Sequence, residues 1–468
     1  MSPFLGVSGL GGPGSLIGAS LPGTNLSENY WYTALKGTSI NGYTMAVDDV
    51  NGNVFFAGGY AGAGTGDTAI IGKLNIDGSF AWARSFVSDG GGSEYFMGAD
   101  CDSEGNVYAV GYCTNTSSTF TNGGTDAILV KYDTDGNLQW QRALGYNGND
   151  RGYEIHVDSS DNIFIVGITD QSGNTYVLVA KYNTSGTLQW QNSFGDSIGQ
   201  YGYGITTDSS GNLYVCGPYF TSDRKTSVFK LNSSGTVQWA RQLTNPTTSG
   251  DVFGTNIAVD SSGNVYVLMN GEGSGFNSEW RLVKLDTSQN IAWERNFDST
   301  YSAEATSVRI DSGGNIIVCG YANNTTGEPY LTAVKYNSSG TLQWQRVVYD
   351  SSSGSARGGY TYDGEIDREG NVYVVGTVQP YGGGVGIGII KMPSDGTLTG
   401  TYTEGSYSAT FAASSYNTST SQSTITIASY TPTSVTPTLT NKTSALTSST
   451  VASGSGTNEL EVRRVTIQ

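Results

Sequence analysis

Apolar and polar residues alternate with a period of two along most of the chain, in runs such as "NLYVCG" (212–217), "SVFKLN" (227–232) and "TVQWARQL" (236–243). No segment sustains the 3.6-residue period of an amphipathic helix, so the pattern predicts strands throughout. The runs are punctuated regularly. An Asp followed four residues later by Asn occurs at Asp49, Asp102, Asp158, Asp208, Asp260, Asp311 and Asp367, as in "VDSSGNVYV" (259–267). A Lys closes a later strand in each unit, from Lys73 to Lys391. A Trp follows a second turn at Trp31, Trp82, Trp140, Trp190, Trp239, Trp293 and Trp344.

These marks define an internal repeat, and each unit reads as four strands, A to D. Residues 200–243 give A as "YGYGITTD", B as "NLYVCG", C as "SVFKLN" and D as "TVQWARQL". Asp-x-x-Gly-Asn is then the A–B turn and Asn-x-x-Gly the C–D turn. Asp and Asn hydrogen-bond their own backbone there, and Gly supplies positive φ. Four-stranded units repeated radially are propeller blades, and ring closure protects their edges. The expected fold is all-β: a seven-bladed β-propeller over 30–400, an extended arm at 1–29, and a Ser/Thr-rich β or extended segment at 401–468. Trp31 precedes the first Asp mark, and the last Lys391 is followed by "PSDGTLTGTY", which has no Trp. Hence "NYWYTAL" is expected to supply the outer strand of the last blade, with "GTLTGTY" as the competing candidate.

Strands of the "DSSGNVYV" kind followed by "LVKYD" and "LQWQR" resemble the seven-bladed propeller repeats of bacterial and phage proteins, and more distantly NHL-type propellers. The resemblance covers about 30–400 and implies the fold. Members bind proteins, glycans or other ligands, and the motif names none of them.

Only 13% of residues are charged, yet the net charge is -17. Such a surface repels phosphate backbones, so no nucleic-acid partner is expected. Cys101, Cys113, Cys216 and Cys319 show no metal or redox spacing and read as small buried hydrophobes. No apolar run is long enough for a membrane helix, and the start lacks the form of a cleaved secretory signal, so neither insertion nor that export route is expected.

Catalytic material is sparse. His156 in "YEIHVD" is the single histidine and is read as structural or channel-lining. No nucleophile motif, P-loop or metal triad appears. "DTDGN" at 133–137 resembles a calcium loop, but equivalent turns lack its carboxylates, so neither metal nor cofactor is expected. In a four-stranded meander the A–B and C–D turns share one face, and the variable B–C and D–A loops share the other. Variable loops on a rigid ring are where binding usually resides. Loops 113–126 and 270–280 lie there, and so do the aromatics Tyr43, Tyr95, Tyr153, Tyr201, Tyr203, Phe253, Tyr301, Tyr360 and Tyr362. They are candidate binding residues for a glycan or protein, with inter-blade packing as the alternative.

Residues 1–27 carry no charged side chain and 405–451 only Lys442, and "QSTITIASYTPTSVTPTLT" suggests a β element pairing with the propeller or a neighbouring subunit, or else disorder. The Gly/Ser/Thr/Asn-rich composition resembles virion proteins of tailed phages. That resemblance implies a non-enzymatic tail, fibre or head-decoration component in a multi-subunit virion. Its arms would bind other virion proteins, and its loop face a host glycan or protein. A bacterial surface or exported binding propeller is the alternative, and a propeller lyase or hydrolase a third, which would need acid–base residues gathered at the axis.

Overall fold

The computed structural model describes residues 30–404, apart from 37–39, 62–65, 88–91, 115–123, 146–147, 172, 196–198, 221–223, 246–250, 273–277, 299–301, 351–358 and 379–385, and seven strands between 407 and 467. The expected arm at 1–29, Tyr301 and the centres of loops 113–126 and 270–280 lie outside the described residues. The chain is all-β. Seven sheets form seven blades, and no helix occurs among the described residues.

Strand A of each blade lies innermost: Ile40–Val47, Glu94–Cys101, Arg151–Val157, Gly204–Thr207, Val252–Val259, Ala303–Ile310 and Thr361–Ile366 for blades 1 to 7. Consecutive A strands pack against one another around the ring, and blade 7 meets blade 1. Strands B and C are nearly continuous apolar runs such as "LYVCGPY" and "DAILVKY", buried along their length. That is what a strand covered on both faces by neighbouring blades requires.

Blade 7 takes its outer strand from the start of the chain. Tyr30–Lys36 pairs antiparallel with Gly386–Met392, Trp31 opposite Lys391. The competing "GTLTGTY" goes elsewhere: Gly400–Glu404 and Tyr407–Ala413 form a hairpin on the outer edge of blade 6. From there the chain runs backwards around the ring, adding a fifth antiparallel strand to each blade. Asn417–Ser419, Thr426–Ser429, Thr433–Val435, Thr440–Lys442 and Thr447–Thr450 lie on blades 5, 4, 3, 2 and 1. Glu461–Ile467 then covers Tyr30–Lys36 on blade 7.

The repeat marks staple blade to blade. Each Trp for which a bond is recorded sends its indole N–H to a carbonyl in the next blade's C–D turn: Trp82 to Thr134 at 3.0 Å, Trp344 to Ser394 at 3.1 Å. The arginine two residues later adds a second bond, Arg84 Nε to the Gly136 carbonyl at 2.8 Å. Gly136 has φ 79° and a Cβ there would stand 2.7 Å from the Trp82 ring, so the turn glycine is required by both backbone and neighbour. The turn Asp accepts from the Asn four residues on and pairs with the strand-C Lys, as in Lys131–Asp102 (3.1 Å) and Lys335–Asp311 (2.9 Å). In blade 1 the turn is one residue longer. There Asp48 takes the repeat position, accepting from the Asn51 and Asn53 amides at 2.9 Å each, while Asp49 is exposed and accepts from the Arg368 backbone N–H at 3.0 Å.

Candidate functional site

A cavity of about 430 Å³ lies on the axis and is lined by residues of all seven A strands and of the A–B turns of blades 1 to 3. It opens on the turn face, the face whose residues read in sequence as scaffold. Its chemistry is found by counting back from the turn Asp of each blade. Two residues before it stand Ala46, Asp100, His156, Thr206, Ala258, Arg309 and Glu365. Four before it stand Thr44, Gly98, Glu154, Gly204, Asn256, Ser307 and Asp363. Period-2 alternation aims both sets at the axis.

Arg309 organises one side. Its Nε donates to Glu365 Oε1 at 2.6 Å, Nη1 donates to Asn256 Oδ1 at 3.0 Å, and Nη2 pairs with Asp363 Oδ1 at 3.6 Å. The surrounding carboxylates more than offset its burial, so its pKa rises further. Asp363 is buried and accepts from Thr44 Oγ1 and the Met45 N–H, at 3.0 and 3.2 Å. Burial, opposed by Arg309 and reinforced by Glu365, pushes its carboxyl up to about 6. Glu154 is raised well above the usual range, by burial first and by the charge of Asp363 second.

On the other side, Asp100 Oδ2 accepts the Val157 N–H at 2.7 Å and lies 3.6 Å from His156 Nδ1. Burial, with a contribution from Glu365, raises Asp100 to about 7. Burial and the Arg309 charge lower His156 to about 4, so it is neutral at physiological pH. His156 Nε2 meets Thr207 Oγ1 at 3.0 Å. About a third of each of these two side chains remains open to the cavity, 32% for Asp100 and 28% for His156. Their shifts therefore reflect depth in the channel rather than isolation from water. A carboxyl that titrates near 7 beside a neutral imidazole can give or take a proton at working pH.

Glycines set the spacing. A Cβ on Gly98 would stand 2.8 Å from the Glu154 Cα, so the absence of a side chain lets blade 3 approach blade 2 and brings Asp100 to His156.

The aromatic candidates occupy the opposite end of the A strands. Register shifts single out Tyr43, Tyr153 and Tyr362 as bulged residues, and Tyr203 immediately precedes strand A of blade 4. Tyr43 and Tyr362 meet edge to face at 5.3 Å between ring centres, as do Tyr153 and Tyr203 at 4.9 Å. Tyr201 contacts Tyr203, and Tyr95 contacts Tyr43. Phe253 is half-buried, and Tyr360 is 46% exposed with its ring against Tyr321.

Residues 238–276 match the model of the β-propeller repeat family SBBP. No curated protein matches it significantly in sequence. Solved structures of similar shape include an ulvan lyase, at 11% identity and TM-score 0.46, covering 77% of this chain and 96% of the lyase. Another is the NanB sialidase from Streptococcus pneumoniae, at 10% and 0.41, covering 76% and 69%. A third is Sqt1 from Chaetomium thermophilum, at 13% and 0.42, covering 74% and 84%. At these identities the likeness shows the fold alone.

Two expectations are corrected here. The non-enzymatic tailed-phage virion component is not upheld: the matching family model describes a propeller repeat and nothing of a virion, and the axis gathers acid–base side chains in a cavity. The judgement that catalytic groups are too sparse also fails, because His156, Asp100, Glu154, Arg309 and Glu365 look scattered only along the chain. They come from four blades, only Glu154 and His156 sharing a strand, and all line the axial cavity.

Proposed function

We propose that the axial cavity is an acid–base site that hydrolyses glycosidic bonds of a neutral saccharide. One observation carries the reading: a carboxyl held near pKa 7, Asp100, stands beside neutral His156 in a polar axial cavity, with the ion-paired Glu365 in the same layer. Glycoside hydrolysis uses two carboxyl groups, one protonated to give a proton to the departing oxygen and one ionised to activate water or attack the sugar. Asp100 suits the first role. Glu365, bound by Arg309, suits the second. His156 hydrogen-bonds sugar hydroxyls or relays the Asp100 proton.

Charge selects the substrate class. The cavity carries Asp48, Asp49, Asp102, Asp158 and Asp161 at its turn end, and the one cation among its described lining residues, Arg309, is engaged by Glu365 and Asp363. A uronate chain would meet repulsion there. Elimination next to a substrate carboxylate, the lyase route, would need a cation free to hold that carboxylate. Hydrolysis of a neutral chain needs none.

The test is reducing-sugar release from a panel of neutral oligosaccharides, with wild type, Asp100→Asn and Glu365→Gln compared at equal folded concentration. Loss of one acid–base group is expected to slow turnover by about 10²- to 10⁴-fold while the melting temperature holds. Turnover unchanged in both variants, or no activity of wild type on any member of the panel, sinks the proposal.

A further inference from the structure

We infer that the axial cavity is a blind well that takes the free end of a saccharide chain and refuses an internal stretch of polymer. The inference rests on the glycosidase reading above and specifies its substrate.

The walls give the first reason. All seven A strands contribute lining, and successive A strands pack against one another around the whole ring. A polymer bound along its length must enter on one side and leave on another, which calls for a cleft. Here no gap between blades interrupts the described wall.

Depth gives the second. The lining runs from the turn aspartates Asp48, Asp102 and Asp158 down to the level of Glu154 and Asn256, four residues deeper in the strands. At ~3.3 Å per strand residue that is roughly 13 Å, with Asp100, His156, Arg309 and Glu365 about halfway. A bond cleaved at that level leaves only a short piece of substrate below it, within a volume of about 430 Å³.

The floor gives the third. One residue beyond Glu154 and its counterparts come the tyrosines Tyr43, Tyr153, Tyr203 and Tyr362, three of them turned by a β-bulge. A bulge re-aims its extra side chain, and these rings meet their neighbours across the blade boundaries at 5.3 and 4.9 Å. None of the four is among the residues that line the cavity. The well ends at Glu154, whose Oε2 accepts from the Asn256 amide of blade 5 at 3.5 Å, and the tyrosines that sequence alone nominates for binding lie beyond that contact, outside the lining.

The experiment uses the full chain carrying Asp100→Asn, whose slowed turnover leaves substrate intact during a titration, and calorimetric titration with neutral oligosaccharides of the gluco-, galacto-, manno- and xylo- series. Each is supplied as the free chain and as the same chain capped at both ends with a bulky group. The free chain is expected to bind and the capped chain to lose at least tenfold in affinity; wild type is expected to release short end pieces from longer chains. Equal binding of free and capped chains, or a ladder of internal fragments from wild type, overturns the blind well and leaves the glycosidase reading standing. Binding of no member in either form, together with no turnover, overturns both.

Discussion

Trp31 tests how the ring is held shut. Its indole is fully buried, touches Tyr373 edge to face at 6.3 Å, and donates to the Ile76 carbonyl of blade 1 at 3.0 Å. Its strand is held on one side by Gly386–Met392 and on the other by Glu461–Ile467. Trp31→Ala removes roughly 200 Å² of buried surface, worth about 5 kcal/mol at ~25 cal/mol per Å² and in line with the 3–5 kcal/mol typical of buried aromatic truncations. The stranded Ile76 carbonyl adds about 1 kcal/mol. Trp190→Ala is the internal control. It occupies the same repeat position and donates similarly, to the Ser233 carbonyl at 3.2 Å, but it is only half-buried and its blade is continuous in sequence. Its truncation should cost about half as much, by the proportion of area lost. Urea unfolding followed by circular dichroism measures both. Against a typical total stability of about 5–15 kcal/mol, Trp31→Ala should leave a barely folded protein whose N-terminus is open to protease. If Trp31→Ala costs no more than Trp190→Ala, the strand at 30–36 does not hold blade 7 to blade 1, and the closure argument is wrong.

Two further outcomes follow from the electrostatics of the axis and the turns. Asp100 and Asp363 bind protons more tightly folded (about 7 and about 6) than unfolded (~3.9), so stability falls as pH rises through that range. His156, lowered to about 4, acts in the opposite sense, raising stability from about pH 4 upward and fading as pH passes its unfolded value of ~6.5. The decline that remains between pH 6.5 and 8 includes Asp100, alongside Glu154, which burial also raises. Urea midpoints across that interval should drop more steeply in wild type than in Asp100→Asn; the same slope in both assigns the titration elsewhere. In blade 1, Asp48→Ala strips a buried carboxylate that accepts from the Val50 and Asn51 N–H groups and from the Asn51 and Asn53 amides, and should cost about 2 kcal/mol. Asp49→Ala should fall within about 0.5 kcal/mol of wild type, and equal costs would show that the turn is not built on Asp48.

Much of the scaffold is legible in the sequence because it repeats. The Asp, Lys and Trp marks recur at one place in every unit, and the position of Trp31 ahead of the first Asp already implies that the ring is closed by strand 30–36. Blade 1 escapes the same reading because "VDDVNGN" offers two aspartates. Spacing favours Asp49, and only the hydrogen bonds reveal that the turn gains a residue and selects Asp48. The path of the tail is not legible either. Strands of three to seven residues that pair through their backbones on seven similar edges carry no address in their side chains. The site was legible in part. His156 stands out as the single histidine, but Asp100, Arg309 and Glu365 look like ordinary strand charges until each is counted from its own turn. The available signal was divergence at one repeat position: two residues before the turn Asp, the blades read Ala, Asp, His, Thr, Ala, Arg and Glu.

That divergence also explains why the chemistry sits at the axis. A sevenfold repeat makes every radial position equivalent, so any mark needed for packing appears seven times and can name no ligand. Strand A separates the two demands by its period. The residue three before the turn Asp packs between blades and stays buried: Met45, Ala99, Ile155, Ile205, Ile257 and Val308, with Gly364 in blade 7. The residue two before it faces the channel, and its identity is free of the packing constraint. At the axis such freed positions from different blades come within bonding distance, as Arg309 with Glu365 and Asp100 with His156. Arg309 reaches Asn256 and Glu365, 53 and 56 residues away, and Asp100 holds the backbone of Val157, 57 residues away. An outer loop can vary as freely, but it stands beside loops of its own and neighbouring blades alone. The axis assembles side chains from several units at once, which a site using an acid, an imidazole and a paired carboxylate requires.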